Sequence, residues 1–374
     1  MKKFFATIGV VLLLGFILGY SNTILHYNDV WVNFFKGTSS VPIYIHLLYA
    51  IIALYMAIFF HELGHFIAFK RLGINVKAMY VLCFAFVKID GRWKVKFIPK
   101  FLLLLGGIVI PDVIPIRSSE DELIIVEKFK KVLIAGPNAS IIYGAVVVLT
   151  FLAFFLTPFY LLNGFLFTYA LITSIMTILA ILSSRIAKGG MYGDYAAIKA
   201  LDLNKSFRLS YFLQIVNLVE KDEKSVDYLW PQIVKYLEKF TKVNDRIYLT
   251  ILSFYLDEVT FQGRISCISI DDKLERIEKG LSKGEDGLMI YHFMLYFYQS
   301  RKNYLKVEEM LAKKPSIEFK VDQKVFEYYE RLTNHLLGKS DESTYLSNSK
   351  NNYSSSTAWI YAPLELKEDF KKIE

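Results

Sequence analysis

Cysteine is nearly absent: Cys83 and Cys267 are the only two in 374 residues, far apart and in unlike contexts. That excludes a disulfide framework and a thiolate metal site, and leaves both as packing residues. Charge of one sign is not concentrated either. The formal net charge is +8, but the lysines and arginines are spread along the chain and many flank apolar segments. Membrane proteins arrange cationic residues this way on the cytoplasmic side, so nucleic acid is not an expected partner. Histidine is scarce at six residues, which makes any pair of them conspicuous. Long apolar runs are missing beyond about residue 203, and the helical pattern there shows no convincing repeat period.

Apolar surface, by contrast, is abundant. The chain is 54% apolar and 16% aromatic with a mean hydropathy of +0.34, more than a soluble domain of this size can bury. The segments Phe4–Tyr20, Ile43–Phe69, Val132–Thr157 and Phe159–Ser183 are each close to or above the roughly 18 residues that suggest a spanning helix. The expected fold is therefore an α-helical multi-pass membrane protein with about four transmembrane helices. Residues 1–202 form the membrane domain and 203–338 a C-terminal all-α cytoplasmic domain. Residues 339–374, rich in Ser and Asn before a charged end, read as a flexible linker and tail.

Charge flanks orient these segments. Met1-Lys2-Lys3 precedes the first run and no small-x-small cleavage site follows Tyr20, so this run reads as a retained helix with a cytoplasmic N-terminus. The second helix returns inward and ends at Lys70-Arg71. After it, "VLCFAFVKIDGRWKVKFI" places the turn pair Asp90-Gly91 before an alternation of Trp93, Val95 and Phe97 with Arg92, Lys94 and Lys96, the pattern of a β-hairpin at the membrane surface. Its basic face suits lipid headgroups, and its edge could alternatively pair with an extended substrate. "FLLLLGGIVIPDVIPI", residues 101–116, is short and broken by Gly106-Gly107 and Pro111. A full crossing would put Lys128, Lys130 and Lys131 outside, so the segment is expected to be re-entrant or interfacial. The third helix then runs outward and the fourth inward to Arg185 and Lys188, which makes both termini cytoplasmic in a multi-pass cell-membrane protein.

Within the second apolar run lies His61-Glu62-Leu63-Gly64-His65. On a helix, the i, i+4 spacing stacks both imidazoles on one face, where they can hold one Zn2+, and Glu62 is then placed to act as general base on a water. The bland reading is two histidines and a glutamate satisfied inside a helix bundle, but ionisable groups at membrane depth are costly and usually mark a functional site. A catalytic zinc ordinarily takes three protein ligands. Among the other histidines, His46 lies some 22 Å up the same helix at about 1.5 Å per residue, His26 sits in the external loop, and His292 and His335 belong to the soluble part. Asp194, just after the fourth helix and on the same side as His65, is the better third ligand, with Asp112 its competitor.

The chain at this point resembles the site-2 protease family of intramembrane zinc metalloproteases. The family's His-Glu-x-x-His helix, Gly-Pro-x-x-Asn element and Asp-Gly motif are matched by "HELGH", by "AGPNAS" from Ala135 to Ser140, and by "GGMYGDYAAI" from Gly189 to Ile198. Two positions depart: the family's asparagine falls on Ser140, with Asn138 shifted, and Tyr195 follows Asp194 where the family has glycine. The resemblance implies one Zn2+ per chain on His61, His65 and Asp194, Glu62 as general base, and cleavage of transmembrane or signal-peptide-like protein substrates in the lipid bilayer. The C-terminal helices could recruit substrate or hold a cytoplasmic protein partner. The alternative from another class is a non-catalytic membrane adaptor with a structural zinc, for which an intact Glu62 would have no use.

Overall fold

The computed structural model describes residues 28–365, apart from 105, 156, 158, 189, 190, 218, 219, 314–318 and 357. The expected first helix at Phe4–Tyr20 lies outside the described residues. Three described helices are long and apolar enough to cross a membrane: Ile43–Arg71, Ser119–Phe155 and Tyr160–Ser183. At about 1.5 Å per residue the 37-residue Ser119–Phe155 is roughly 55 Å long. That exceeds the ~30 Å hydrocarbon core, and its charged first turns, from Glu120 to Lys131, are the part that reaches beyond an apolar layer.

Local chemistry sets where these helices stop and start. Ile43–Arg71 ends with Lys70 and Arg71 in its last turn, where cations complement the helix dipole. Gly73 then adopts φ +74, and the amides of Gly73 and Ile74 return to the carbonyls of Lys70 and Phe69, a Schellman closure that needs a residue tolerant of the left-handed region. Ser118 caps the next helix by accepting a hydrogen bond from the amide of Asp121, and Glu120, Asp121 and Glu122 occupy its first turn.

Backbone contacts divide the chain into two units. In the unit formed by residues up to Phe60 and Asn138–Ile181, the helices Asn28–Ser40 and Tyr160–Ser183 touch through Gly37 and Gly164. A Cβ on Gly164 would lie 2.5 Å from the Gly37 carbonyl oxygen, so small residues permit this approach. Polar groups there find one another: Tyr143 and Tyr169 share a hydrogen bond of 2.6 Å, and His46 bonds to Thr168 Oγ1 and the Thr38 carbonyl.

The other unit holds His61–Pro137 and Leu182–Glu374. Strands β1 (Val76–Val81), β2 (Phe84–Ile89), β3 (Arg92–Phe97) and β4 (Gly107–Pro111) form an antiparallel sheet in the order β3-β2-β1-β4. Asp90 and Gly91, with φ of +50 and +76, make the two-residue turn between β2 and β3, the primed geometry that matches strand twist. Residues 101–116, expected as a re-entrant or interfacial segment, contain a turn and a strand. A 3-10 turn over Pro99–Leu104 leads into β4, which pairs with β1. The charge argument concerned only the side of the membrane on which the flanks are expected. The β-branched run Ile108-Val109-Ile110 prefers a pleated, half-buried surface, and β1 supplies it.

Beyond the short strands β5 (Ala187–Lys188) and β6 (Met191–Tyr192) the chain is helical from Asp194–Leu203 to Gln323–Leu336. These helices bury one apolar core that includes Leu201, Phe212, Leu252, Tyr255, Tyr291 and Leu295, and that continues without a break to Phe69, Ile125, Phe129 and Val132. Residues 339–365, read as a flexible linker and tail, contain short helical turns and bury Leu346, Ala358 and Leu364. Composition hid these few apolar anchors among serines and asparagines.

Candidate metal centre

The site begins with helix periodicity. His61 and His65, one turn apart, put their ring centroids 5.0 Å and their Nε2 atoms 3.3 Å from each other. His65 Nδ1 lies 2.8 Å from the carbonyl oxygen of Val132. A carbonyl only accepts, so Nδ1 carries the hydrogen and the neutral ring presents an unprotonated Nε2, the tautomer that binds metals.

Asp194 arrives from far along the chain. Ala187–Lys188 and Met191–Tyr192 pair as β5 and β6, the amide of Gly193 bonds back to the Ile186 carbonyl, and the amide of Ala196 bonds to the Ser184 carbonyl. Gly193 packs on the preceding helix end: an added Cβ would sit 2.5 Å from Ser184 Cα. Asp194 is then the first residue of the helix Asp194–Leu203, where its negative charge faces the positive end of the dipole. Its Oδ2 comes within 3.4 Å of His61 Nε2 and 3.7 Å of His65 Nε2. Burial alone would raise the Asp194 pKa, but the hydrogen bonds and charges of the two imidazoles outweigh it and hold the carboxyl down at about 2.

These three donors fit a metal ion. Zinc bonds to nitrogen and oxygen run about 2.0–2.2 Å, and tetrahedral geometry then sets ligand atoms about 3.4 Å apart. The separations here are 3.3, 3.4 and 3.7 Å. Two imidazoles and a carboxylate also make a hard-to-borderline donor set suited to Zn2+. Among the described residues, His61, His65 and Asp194 form the group of metal-type donors that converge closely enough.

Glu62 is next to His61 in sequence and only 5% exposed. Its carboxyl packs against β4: a Cβ on Gly107 would come within 2.7 Å of Glu62 Cδ. Gly136 does the same for His65, since a Cβ there would lie 2.6 Å from His65 Cε1. Of the other sequence candidates, Asp112 is elsewhere, its Oδ1 accepting from the amide of Val113. His292 bonds Thr333 in the helical core, His335 lies near Asp341, and His26 falls outside the described residues. Sequence reasoning missed three participants. Val132 acts through its backbone and leaves no side-chain signal, whereas Gly107 was visible only as a break in an apolar segment and Gly136 only within the AGPNAS match, neither as a packing partner.

No curated protein and no solved structure matches the chain. The family model of Peptidase family M50 matches residues 49–313, a stretch that contains the motif helix, the sheet, Asp194 and most of the helical core. With more than half of its length covered, the chain belongs to peptidase family M50, the site-2 protease family of membrane metalloproteases.

Proposed function

We propose that this protein is a zinc endopeptidase that hydrolyses peptide bonds in or near membrane-spanning segments of other proteins. The observation that carries the reading is the convergence of His61, His65 and Asp194 beside a buried Glu62. Zn2+ held by the three ligands would lower the pKa of a water and polarise the scissile carbonyl. Glu62 takes the proton from the attacking water and passes it to the leaving amine. Val132 keeps the His65 ring in its ligand tautomer.

A substrate helix has its carbonyls tied up in hydrogen bonds, so it must unwind and be held extended. The edge strands of the sheet are β3 and β4. Gly107 of β4 packs on Glu62, which favours β4 over the hairpin edge around residues 80–97 as the pairing strand. The hairpin's Trp93, Val95 and Phe97 are solvent-exposed and suit the lipid interface instead.

We place the protein in the cell membrane as a multi-pass chain with N- and C-termini cytoplasmic, on the positive-inside rule. Substrates of the signal-peptide-like or single-span class fit a site on a spanning helix, and the C-terminal helices would meet a cytoplasmic partner.

Glu62→Gln tests the reading. The change keeps size but removes basicity, so zinc content, read by mass spectrometry, stays near one per chain. Cleavage of a reconstituted single-span substrate falls by about 10² to 10⁴, the usual general-base contribution. An unchanged rate removes Glu62 as base, and a wild type that fills with zinc yet cleaves no candidate substrate favours an adaptor.

A further inference from the structure

One face of the four-stranded sheet carries Ala78, Tyr80, Ala85, Val87 and Ile110, all buried. Among the described residues, its apolar cluster takes no side chain from a long helix. Phe101 of the 3-10 turn stacks on Tyr80 with centroids 4.8 Å apart, and Leu364 completes the same apolar cluster with Ile360 packed beside it. The C-terminal segment is thus part of the layer that a sheet needs on its apolar face. Lys96 of β3 fastens it, donating to the Pro363 carbonyl at 2.9 Å and pairing with Glu365 at 2.6 Å.

Upstream, the same segment is tied to the helical core. Tyr329 donates its hydroxyl hydrogen to the Ser354 carbonyl, and the amide of Ser356 donates to Glu285. The other side of the sheet meets the motif helix, through Trp93 against Phe66 and Gly107 against Glu62. The chain of contacts therefore runs from helical core to strap, from strap to sheet, and from sheet to Glu62.

Its hold is modest by construction. The strap has only 3-10 turns, Ala358–Ile360 and Ala362–Leu364, its Lys96–Glu365 pair is partly exposed, and it closes over a Tyr80 hydroxyl that has no hydrogen-bond partner among the described residues. An unpaired buried hydroxyl costs free energy that a released strap would recover.

We propose that Ala358–Glu365 is a releasable strap that holds the sheet against Glu62 and links the order of the site to the helical core. Docked, it fixes β1 and β4 and with them Gly107. Released, it exposes the Tyr80 face and lets β4 move relative to the base. The proposal does not depend on the identity of the substrate.

The test uses the full-length chain carrying Leu364→Asp, which places a charge in the apolar cluster, beside Leu364→Met as a volume-conserving control. Hydrogen exchange is expected to speed up by about 10-fold or more in peptides covering 76–89 and 107–111, with 246–261 and 285–300 unchanged. A synthetic peptide of residues 353–374, added in trans, restores protection, whereas the same peptide with Leu364→Asp does not. Tyr329→Phe gives a smaller increase in the same strands. Zinc content stays at the wild-type level, and where a single-span test polypeptide is cleaved, kcat falls with KM nearly constant. Unchanged strand protection in Leu364→Asp, equal loss in the core helices, or equal rescue by both peptides overturns the proposal. No effect of Tyr329→Phe removes the helical core from it.

Discussion

Gly136→Ala is the most discriminating perturbation of the proposed metal centre, because the residue offers no ligand atom and yet packs against the His65 ring. The new methyl would lie 2.6 Å from His65 Cε1, with Nε2 nearer still. Carbon atoms pack at about 3.5–4.0 Å, so the imidazole or the helix must move by about 1 Å. The imidazole is pinned on its far side by the Val132 carbonyl at 2.8 Å, one turn away from Gly136 on the same helix. The displacement therefore falls on Nε2, the ligand end. Metal sites tolerate ligand distances within about 0.2 Å, so a shift several times larger removes His65 as an effective ligand.

The expected loss is at least the 10- to 100-fold in zinc affinity that follows from disturbing the groups orienting a ligand. Alanine in a helix is also intrinsically better than glycine by about 1 kcal/mol. Helix stability thus does not fall for reasons of propensity, and zinc loss is separable from unfolding. The assay is competitive titration of purified protein with a zinc chelator, alongside thermal unfolding. Gly144→Ala is the control, since its methyl would meet Thr177 instead, 2.7 Å from the hydroxyl oxygen. A folded Gly136→Ala protein with wild-type zinc affinity would refute the placement of His65 Nε2.

Other outcomes follow from the same contacts. Asp194→Ala should deplete zinc while Asp112→Ala retains it, because Asp112 is occupied by its own loop; metal analysis of both decides the third ligand. Stripping zinc with a chelator should abolish cleavage and leave the helical core folded, as that core is apolar and does not include the ligands; circular dichroism and re-addition of one equivalent check this. Glu258→Ala should lower stability by about 1–3 kcal/mol, since Lys221 and Arg264 lose their buried partner at 2.6 Å each but keep Glu223 and Asp227. Removing Asp202, whose pair with Lys130 is half exposed, should change unfolding by well under about 1 kcal/mol. A cysteine at Lys224, introduced into a chain lacking Cys83 and Cys267, should label only from the cytoplasmic side; external labelling inverts the topology and the proposed role of the helical core.

The parts of the site legible in the sequence are those set by short-range geometry. His61 and His65 needed only the helical period, and Asp90-Gly91 declared its turn because both residues accept positive φ. Asp194 was reachable through a different physics, the charge rule that put its loop on the same side as Lys70 and Arg71. What stayed hidden depends on contacts between distant segments. β4 looked like a broken membrane segment because Gly106-Gly107 reads as a break, and only β1 at its side makes it a strand. Leu364 looked like part of a polar tail because a single leucine carries no periodicity; the sheet that buries it is more than two hundred residues away in the chain.

That distribution has a consequence for how the centre is assembled. Two proposed ligands and the proposed base come from one helix, but a pair of imidazoles at 3.3 Å is a weak site until a carboxylate joins them. Asp194 is held there by Gly193 and Ser184, and the helix it opens packs Ala197, Ala200 and Leu201 into the same core as Phe69 and Phe129. Phe69 lies one turn beyond His65, and Phe129 one turn before Val132. The residues that anchor the helical core are therefore the immediate neighbours of those that orient the metal ligands. Packing of the core therefore bears directly on where the three donors sit.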